Sequence, residues 1–350
     1  SQEGEWDSNG QVLWIMHRYL QLTGTRPPKA WMDSVIKGAE WIEEKRNPKS
    51  PGIRHSGLLP AGFSAEHLGP NDFYYWDDFW CLAGLKAASE MARRFHSTDL
   101  ADRLDRHYQD FYKCIFASIS AIPEAKSGGA MPASPYRRMD AGAIGSLVAD
   151  YPLQITPAAE PRIMATIEFL MNHCFYKGAF FQDMIHSGIN AYLTLDMAQT
   201  LLRSGDPRFQ ELIEKVAELA SSTGQWPEAI HPHSLGGCMG DGQHGWAAAE
   251  WVVMIRNMFV REEDNQLIIG SGIFGQWLSE KQQLFFGPTP TPHGPVSVTL
   301  TPAQGCLEVQ ITGQWRSGCP DISVAVPGYE TAAVEAGSRD NEMYIKVCEK

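Results

Sequence analysis

Two adjacent carboxylates, Asp77 and Asp78, lie inside the aromatic run Asn71-Asp72-Phe73-Tyr74-Tyr75-Trp76-Asp77-Asp78-Phe79-Trp80, and a third, Glu228, follows Trp226-Pro227. Paired carboxylates can act as acid and base at a glycosidic bond, while flat aromatic faces cover the apolar face of a pyranose. The run leads into the Ala- and Leu-rich stretch Cys81–Ala88, a helical pattern, so either Asp can also serve as a cap beside the positive end of the helix dipole. Capping needs only a short oxygen-bearing side chain. Six clustered rings point beyond it, to a carbohydrate site. Glu228 follows a proline that fixes an extended or turn backbone and aims the side chain away from a helix; a surface carboxylate is the plainer reading.

The elements that must position these groups are mostly helices. After a polar stretch, Ser1 to Gly10, apolar residues recur at helical spacing from Gln11 to Leu22 and again from Pro27 to Lys45, giving a helical hairpin. Helical patterns then recur over 76–95 with 99–118, 141–149 with 157–174, and 188–203 with 208–222, and one more covers 243–259. Short connections alternate with long aromatic or Gly-rich ones (46–70, 121–140, 175–187, 224–242), which predicts an array of hairpins with one elaborated, functional face. From about residue 263 the period becomes two. Runs at 266–270, 296–300, 306–311, 322–326 and 343–347 predict a small antiparallel β domain. The proline-rich block Phe286–Pro295 is read as an extended segment, since proline suits neither helix nor central strand. The expected division is therefore a helical domain over 1–262 and a β domain over 263–350.

Composition limits the partners. The chain has 350 residues, 43% hydrophobic and 20% charged, with a net charge of -12. Such a balance is globular and opposes binding to nucleic-acid backbones or anionic membranes. A neutral sugar fits better. Neither an apolar run of roughly 18 residues nor a basic-then-apolar start is present, so the sequence reads as a cytoplasmic protein without a membrane span. Seven scattered cysteines, never spaced Cys-x-x-Cys, read as mostly reduced thiols rather than a disulfide framework or zinc site.

A hairpin array, long loops on one face and a following β module resemble the six-hairpin glycosidases, the (α/α)6-barrel clan of glucoamylases, trehalases and processing α-glucosidases. Tyr75-Trp76-Asp77-Asp78 resembles the glucoamylase segment in which a Trp precedes two acidic residues, the first the general acid, and also the trehalase signature, where the Asp binds substrate. Gln225-Trp226-Pro227-Glu228, with the Gly-rich loop and His244-Gly245-Trp246-Ala247, resembles the clan's second catalytic segment, in which the Glu activates water. Trp6-Asp7-Ser8-Asn9-Gly10-Gln11 resembles the early segment that holds sugar hydroxyls. The resemblance implies a mainly α fold, an (α/α)6 toroid of hairpins followed by a small antiparallel β-sandwich-like domain. It implies inverting hydrolysis with Asp77 as acid and Glu228 as base, and Asp78 as the rival acid. Trp6, Asp7, Tyr75, Trp76, Asp78, His186, Trp226, His244 and Trp246 would contact the sugar, with neither metal nor cofactor required. Gly270–Trp277 and the Pro-His-Gly-Pro segment look like the module of rhamnosidase- and fucosidase-type relatives, keeping deoxy-sugars and α-linked oligosaccharides open. About nine or ten helices are read here against twelve in the full barrel. A part of the ring is then absent, divergent, or supplied by another segment or chain.

Two other classes stand beside the hydrolase: a non-catalytic carbohydrate-binding or assembly subunit, and a helical-toroid polysaccharide lyase. The lyase would work on an acidic sugar, and the chain lacks a basic cluster to neutralise it. The loop histidines His186, His231, His233 and His244 do not have helical zinc spacing. Gly236-Gly237-Cys238-Met239-Gly240 lacks the Lys-Ser/Thr of a nucleotide loop.

Overall fold

The computed structural model describes residues 4–64, 70–184, 187–240, 242–279, 282–337 and 340–350. Its helices are α1 (Asp7–Thr23), α2 (Lys29–Lys45), α3 (Tyr75–Phe95), α4 (Thr98–Ser120), the short α5 (Glu124–Ser127), a 3₁₀ helix (Ala141–Ala149), α6 (Pro161–His173), α7 (Ala191–Ser204), α8 (Phe209–Glu218), α9 (Gly245–Phe259) and the short α10 (Gly275–Ser279). The polar start proves shorter than its composition suggests, because α1 already begins at Asp7. Local chemistry sets several other boundaries. The side chains of Ser97, Glu160 and Asn190 accept backbone N–H groups at the starts of α4, α6 and α7, and left-handed Gly24 and Gly205 close α1 and α7.

Five elements succeed one another as an inner row, each packing on the next: α1, α3, the 3₁₀ helix, α7 and α9. On their outer side α2 covers α1 and α3, α4 covers α3, α6 covers the 3₁₀ helix and α8 covers α7. Inner helices α1 and α3 run parallel. Asp7 meets Trp76 at one end of the pair and His17 meets Glu90 toward the other, with Trp14 edge-on to Trp80 between them. The tightest point of this crossing is glycine against glycine. A Cβ on Gly10 would lie 2.3 Å from the Trp80 carbonyl oxygen, and one on Gly84 would lie 2.7 Å from Gly10 Cα.

The long loops hold a small sheet that periodicity does not show, since its strands are only two to four residues long. It is ordered β1 (Phe175–Tyr176), β2 (Ala179–Gln182), β3 (Gly188–Ile189), β4 (Ala229–Ile230) and β5 (Gly237–Met239). Strand β6 (Val260–Glu263) continues straight from α9 and pairs with β7 (Gln266–Ile269). The remaining strands are β8 (Leu284–Thr289), β9 (Val296–Ala303), β10 (Cys306–Gly313), β11 (Ile322–Val324), β12 (Ala332–Val334) and β13 (Glu342–Cys348). They form two four-stranded sheets, β13-β10-β9-β8 and β12-β11-β7-β6. One pairing departs from the all-antiparallel expectation: β7 and β11 are parallel. The proline-rich block enters β8, an edge strand whose register shifts between Phe286 and Thr289, as proline allows.

Gly10→Ala or Gly84→Ala forces a methyl into backbone rather than into a movable side chain. Each is expected to cost about 1–3 kcal/mol, as overpacked cores do. A midpoint unchanged in urea unfolding would show that the helices separate without loss.

Candidate functional site

A cleft of about 670 Å³ opens along the inner row. All five inner elements or their flanking residues line it: Glu5 to Ile15, Trp76 and Trp80, Ile144 to Pro152, Leu193 and Asp196, and Trp246 and Glu250. Four of these residues are indoles, Trp14, Trp76, Trp80 and Trp246, and four are carboxylates, Glu5, Asp7, Asp196 and Glu250. Neither Lys, Arg nor His is among the described lining residues.

Asp7 is fixed from two sides. Its Oδ2 accepts Trp76 Nε1–H at 2.8 Å and Gln11 Nε2–H at 2.8 Å. Burial raises its carboxyl, the Trp76 bond opposes that, and the charge of Glu5 adds to it. Trp76 continues the wall, with ring centroids 5.7 Å from Trp80 and 6.4 Å from Trp246; Trp246 in turn lies 4.4 Å from Tyr192.

The other acidic group sits at the 3₁₀, α7 and α9 side. Glu250 accepts Gln199 Nε2–H at 2.8 Å, and the same amide nitrogen lies 3.1 Å from Tyr151 Oη. Gln199 Oε1 accepts from Asn257 Nδ2 at 3.0 Å, which holds the amide in one orientation. Burial raises the Glu250 carboxyl, against the hydrogen bonds from Gln199 and Tyr151. Tyr151 is raised by burial first and then by the charges of Glu250 and Asp196, which places both acids near its hydroxyl.

Of the residues named from sequence, Asp7, Trp76 and Trp246 meet on this cleft. The others are elsewhere. Asp77 is buried, does not border the cleft, and leaves Oδ1 without a partner. Burial raises it strongly, with the charges of Asp7 and Asp78 next, opposed in part by hydrogen bonding from the backbone of Asp7. Asp78 is equally buried and its Oδ1 accepts Leu59 N–H at 2.9 Å, so it anchors the loop before α3. Tyr75 is core, its hydroxyl 2.8 Å from Ser118 Oγ. Trp6 donates to the Pro60 carbonyl at 3.0 Å, under Lys45 Nζ at 4.0 Å from its ring. Trp226 is buried, donating to the Val216 carbonyl at 2.8 Å and packing on Trp251. His244 caps α9 through Nδ1 and its ring packs on Tyr192. Glu228 is half-buried and does not line the cleft, but its segment is tied to the start of α9 by His244 N–H donating to the Trp226 carbonyl at 2.9 Å. His186 lies outside the described residues. Within the aromatic run Tyr74, Tyr75, Asp77, Asp78 and Phe79 are buried core, while Trp76 and Trp80 reach the cleft.

Reading by motif overlooked Glu5, Asp196, Glu250 and Tyr151. A signal for two of them is present: Asp196 and Glu250 are the single acidic residues of α7 and α9, each inside an apolar helix. Among the described residues, none group as three or more metal-ligating side chains, and no helix is long and apolar enough to cross a membrane.

No protein-family model matches the chain, and no curated protein matches it. Solved structures do match in fold. The α-L-rhamnosidase of Aspergillus terreus aligns over 98% of this chain and 39% of its own, at 16% identity and a TM-score of 0.58. A GH78 family rhamnosidase of Bacillus sp. GL1 aligns over 85% of this chain and 30% of its own, at 16% identity and a TM-score of 0.51. A bacterial glucoamylase complexed with acarbose aligns over 71% and 40%, at 14% identity and a TM-score of 0.50. The chain has a glycosidase-type helical toroid fold. It spans two fifths or less of each of these proteins.

Asp78 gives a pH test of the site's foundation. Burial moves its carboxyl from 3.8 up to about 7, although Leu59 and Arg46 pull it down. The folded state therefore holds this proton more tightly than the unfolded chain, and the contribution is fully present below pH 3.8 and lost as pH rises toward 7. Asp78→Asn keeps an acceptor for Leu59 and cannot ionise. It is expected to be more stable than the native chain near pH 8, with the difference shrinking toward pH 4; a constant difference across urea titrations at these pH values would refute the assignment.

Proposed function

We propose that this chain carries the sugar cleft of a glycoside hydrolase that cleaves a glycosidic bond of an oligosaccharide or glycoside with inversion. The cleft on the axis of the inner row supports this reading most directly, because it joins indole walls to carboxylates drawn from both ends of that row. Four carboxylates without a lining cation suit a neutral or amino sugar and repel a uronate. Asp7, fixed by Trp76 and Gln11, holds sugar hydroxyls in this scheme. Glu228, whose side chain does not line this cleft but whose segment is tied to the start of α9, is assigned as the base that activates water on the motif resemblance. The acid has to border the cleft and stay protonated near neutral pH. Glu250 borders the cleft and burial raises its carboxyl, whereas sealed Asp77 backs Asp7 from behind. Inversion requires the working pair to stand roughly 6.5–9.5 Å apart with a water between.

Burial of Asp77 favours one other reading, a subunit that binds carbohydrate without turnover. Kinetics with sugar-binding calorimetry separate them. Glu228→Gln and Glu250→Gln are each expected to lower kcat by about 10²–10⁴-fold with sugar affinity kept, and Asp77→Asn to change it little. Proton NMR of the first-formed anomer then reports inversion. Turnover abolished by Asp77→Asn but not by Glu250→Gln would reverse the roles, and binding without turnover in the native chain would select the binding subunit. An unsaturated, ultraviolet-absorbing product would mean a lyase.

The cleft is also open on one side, and we propose that a further amphipathic helical hairpin, from the same polypeptide or another, packs there. Val12, Ile15 and Tyr19 form one stripe of α1 and Val252 lies on α9, all more than half exposed; Val12 and Ile15 also line the cleft. α1 and α9 are the two ends of the inner row, and every other inner element has an inner neighbour on both sides. An apolar stripe of this kind suits the apolar face of such a hairpin. The chain alone is expected to bind a hydrophobic dye and to self-associate at micromolar concentration, and Val12→Ser, Ile15→Ser and Val252→Ser together to suppress both. A dye-silent monomer would rule the docking face out.

A further inference from the structure

The tail sheet brings together two thiols that neither the cleft nor the sequence reading uses. Cys306 opens β10 and Cys348 closes β13, and the register sets them directly opposite each other. Glu349 N–H donates to the Gly305 carbonyl at 3.1 Å, the bond that flanks the pair on its outer side. In an antiparallel ladder that pattern marks a non-hydrogen-bonded pair, where the Cα atoms stand about 4.5 Å apart and side chains are closest. This falls inside the span a disulfide tolerates. The sulfurs are 3.0 Å apart, and Cys348 is exposed while Cys306 is half-exposed, so an oxidant can reach them.

We propose that Cys306 and Cys348 are a reversible oxidation site that closes to a disulfide and staples the last strand to the tail. One thiolate attacks a low-molecular-weight disulfide such as oxidised glutathione, forming a mixed disulfide and releasing one glutathione thiolate. The second thiolate then attacks the protein sulfur of that mixed disulfide, and a second glutathione leaves. Two protein thiols and one oxidised glutathione become one protein disulfide and two reduced glutathiones, with protons and electrons balanced. The bond would close a loop that contains β11 and β12, strands of the other four-stranded sheet, and it ties the edge strand β13 to β10 of its own sheet. Contact with Cys306 holds the Cys348 thiol above its usual range, so closure is slow at neutral pH and faster as pH rises.

The test is peptide mapping of the 350-residue chain after equilibration in glutathione buffers and alkylation of the remaining thiols. Expected is a Cys306–Cys348 cross-link, a mass loss of two hydrogens, reversal by dithiothreitol, and a melting midpoint a few degrees above that of the reduced chain. Cys348→Ser should abolish both the cross-link and the shift. Glutathione adducts on these cysteines without a cross-link, a bond to a different cysteine, or a midpoint shift that persists in Cys348→Ser would each overturn the proposal. The mapping is done on the native chain, so a misfolded variant does not leave it unanswered.

Discussion

The contact of Gly10 with Trp80 and Gly84 is the constraint on which the site depends. Helices that meet through side chains stand 8–10 Å apart. Here Gly10 and Gly84 let backbone approach backbone, and the same approach one turn earlier puts Asp7 within hydrogen-bond reach of Trp76. A wider crossing would separate the acid from the indole that orients it. The cleft's α1 and α3 walls are therefore set by the absence of two side chains, at positions where any Cβ would strike main chain.

A second constraint holds the opposite wall. Arg203, buried on α7, donates Nε–H to both oxygens of Glu263 at 3.1 and 3.0 Å and pairs through Nη1 with Asp150, the residue before Tyr151. Its Nη2 also donates to the Thr156 carbonyl at 2.9 Å. Burying so many charges is costly unless every one is paired, and removing one partner strands the rest. The arrangement fixes Tyr151 against Glu250 and joins β6 to the helices. Arg256 and Arg18 do the same from α9 and α1 by meeting on Glu262. Strand β6 thus acts as a brace behind the cleft as well as the first strand of the tail.

The sequence exposes most of this scaffold and less of the site. Helix spans such as 76–95 are legible because apolar residues recur with the helical period and Pro, Gly or a capping residue marks the ends. Each of the five expected strands overlaps an observed one for the matching reason at period two. The sheet β1–β5 escapes because two-residue strands carry no period. Asp77 and Trp226 lie off the cleft for another reason: an aromatic and acidic cluster has the same composition whether it lines a cleft or fills a helix crossing, and only the fold shows which side chains do which. Asp7 and Trp246 meet in the cleft although they are far apart in the chain, which is what loops and helix starts of a shared ring produce.

Asp77 shows why a buried carboxyl is kept where a hydrophobic residue would pack more cheaply. Three acids, Glu5, Asp7 and Asp77, sit close enough for their charges to act on one another at the start of α1 and α3. Burial and the neighbouring acids both act against ionisation of Asp77. Asp77 is the most enclosed and is raised furthest, despite lying in the first turn of a helix whose dipole favours the anion. Burial thus favours the neutral form of Asp77 behind Asp7, whose orientation is already fixed by Trp76 and Gln11. An aliphatic residue at position 77 would remove the repulsion but also the polar contact with the Asp7 backbone. Asp77 thereby ties the start of α3 to the backbone at the start of α1, directly behind the carboxylate that faces the cleft.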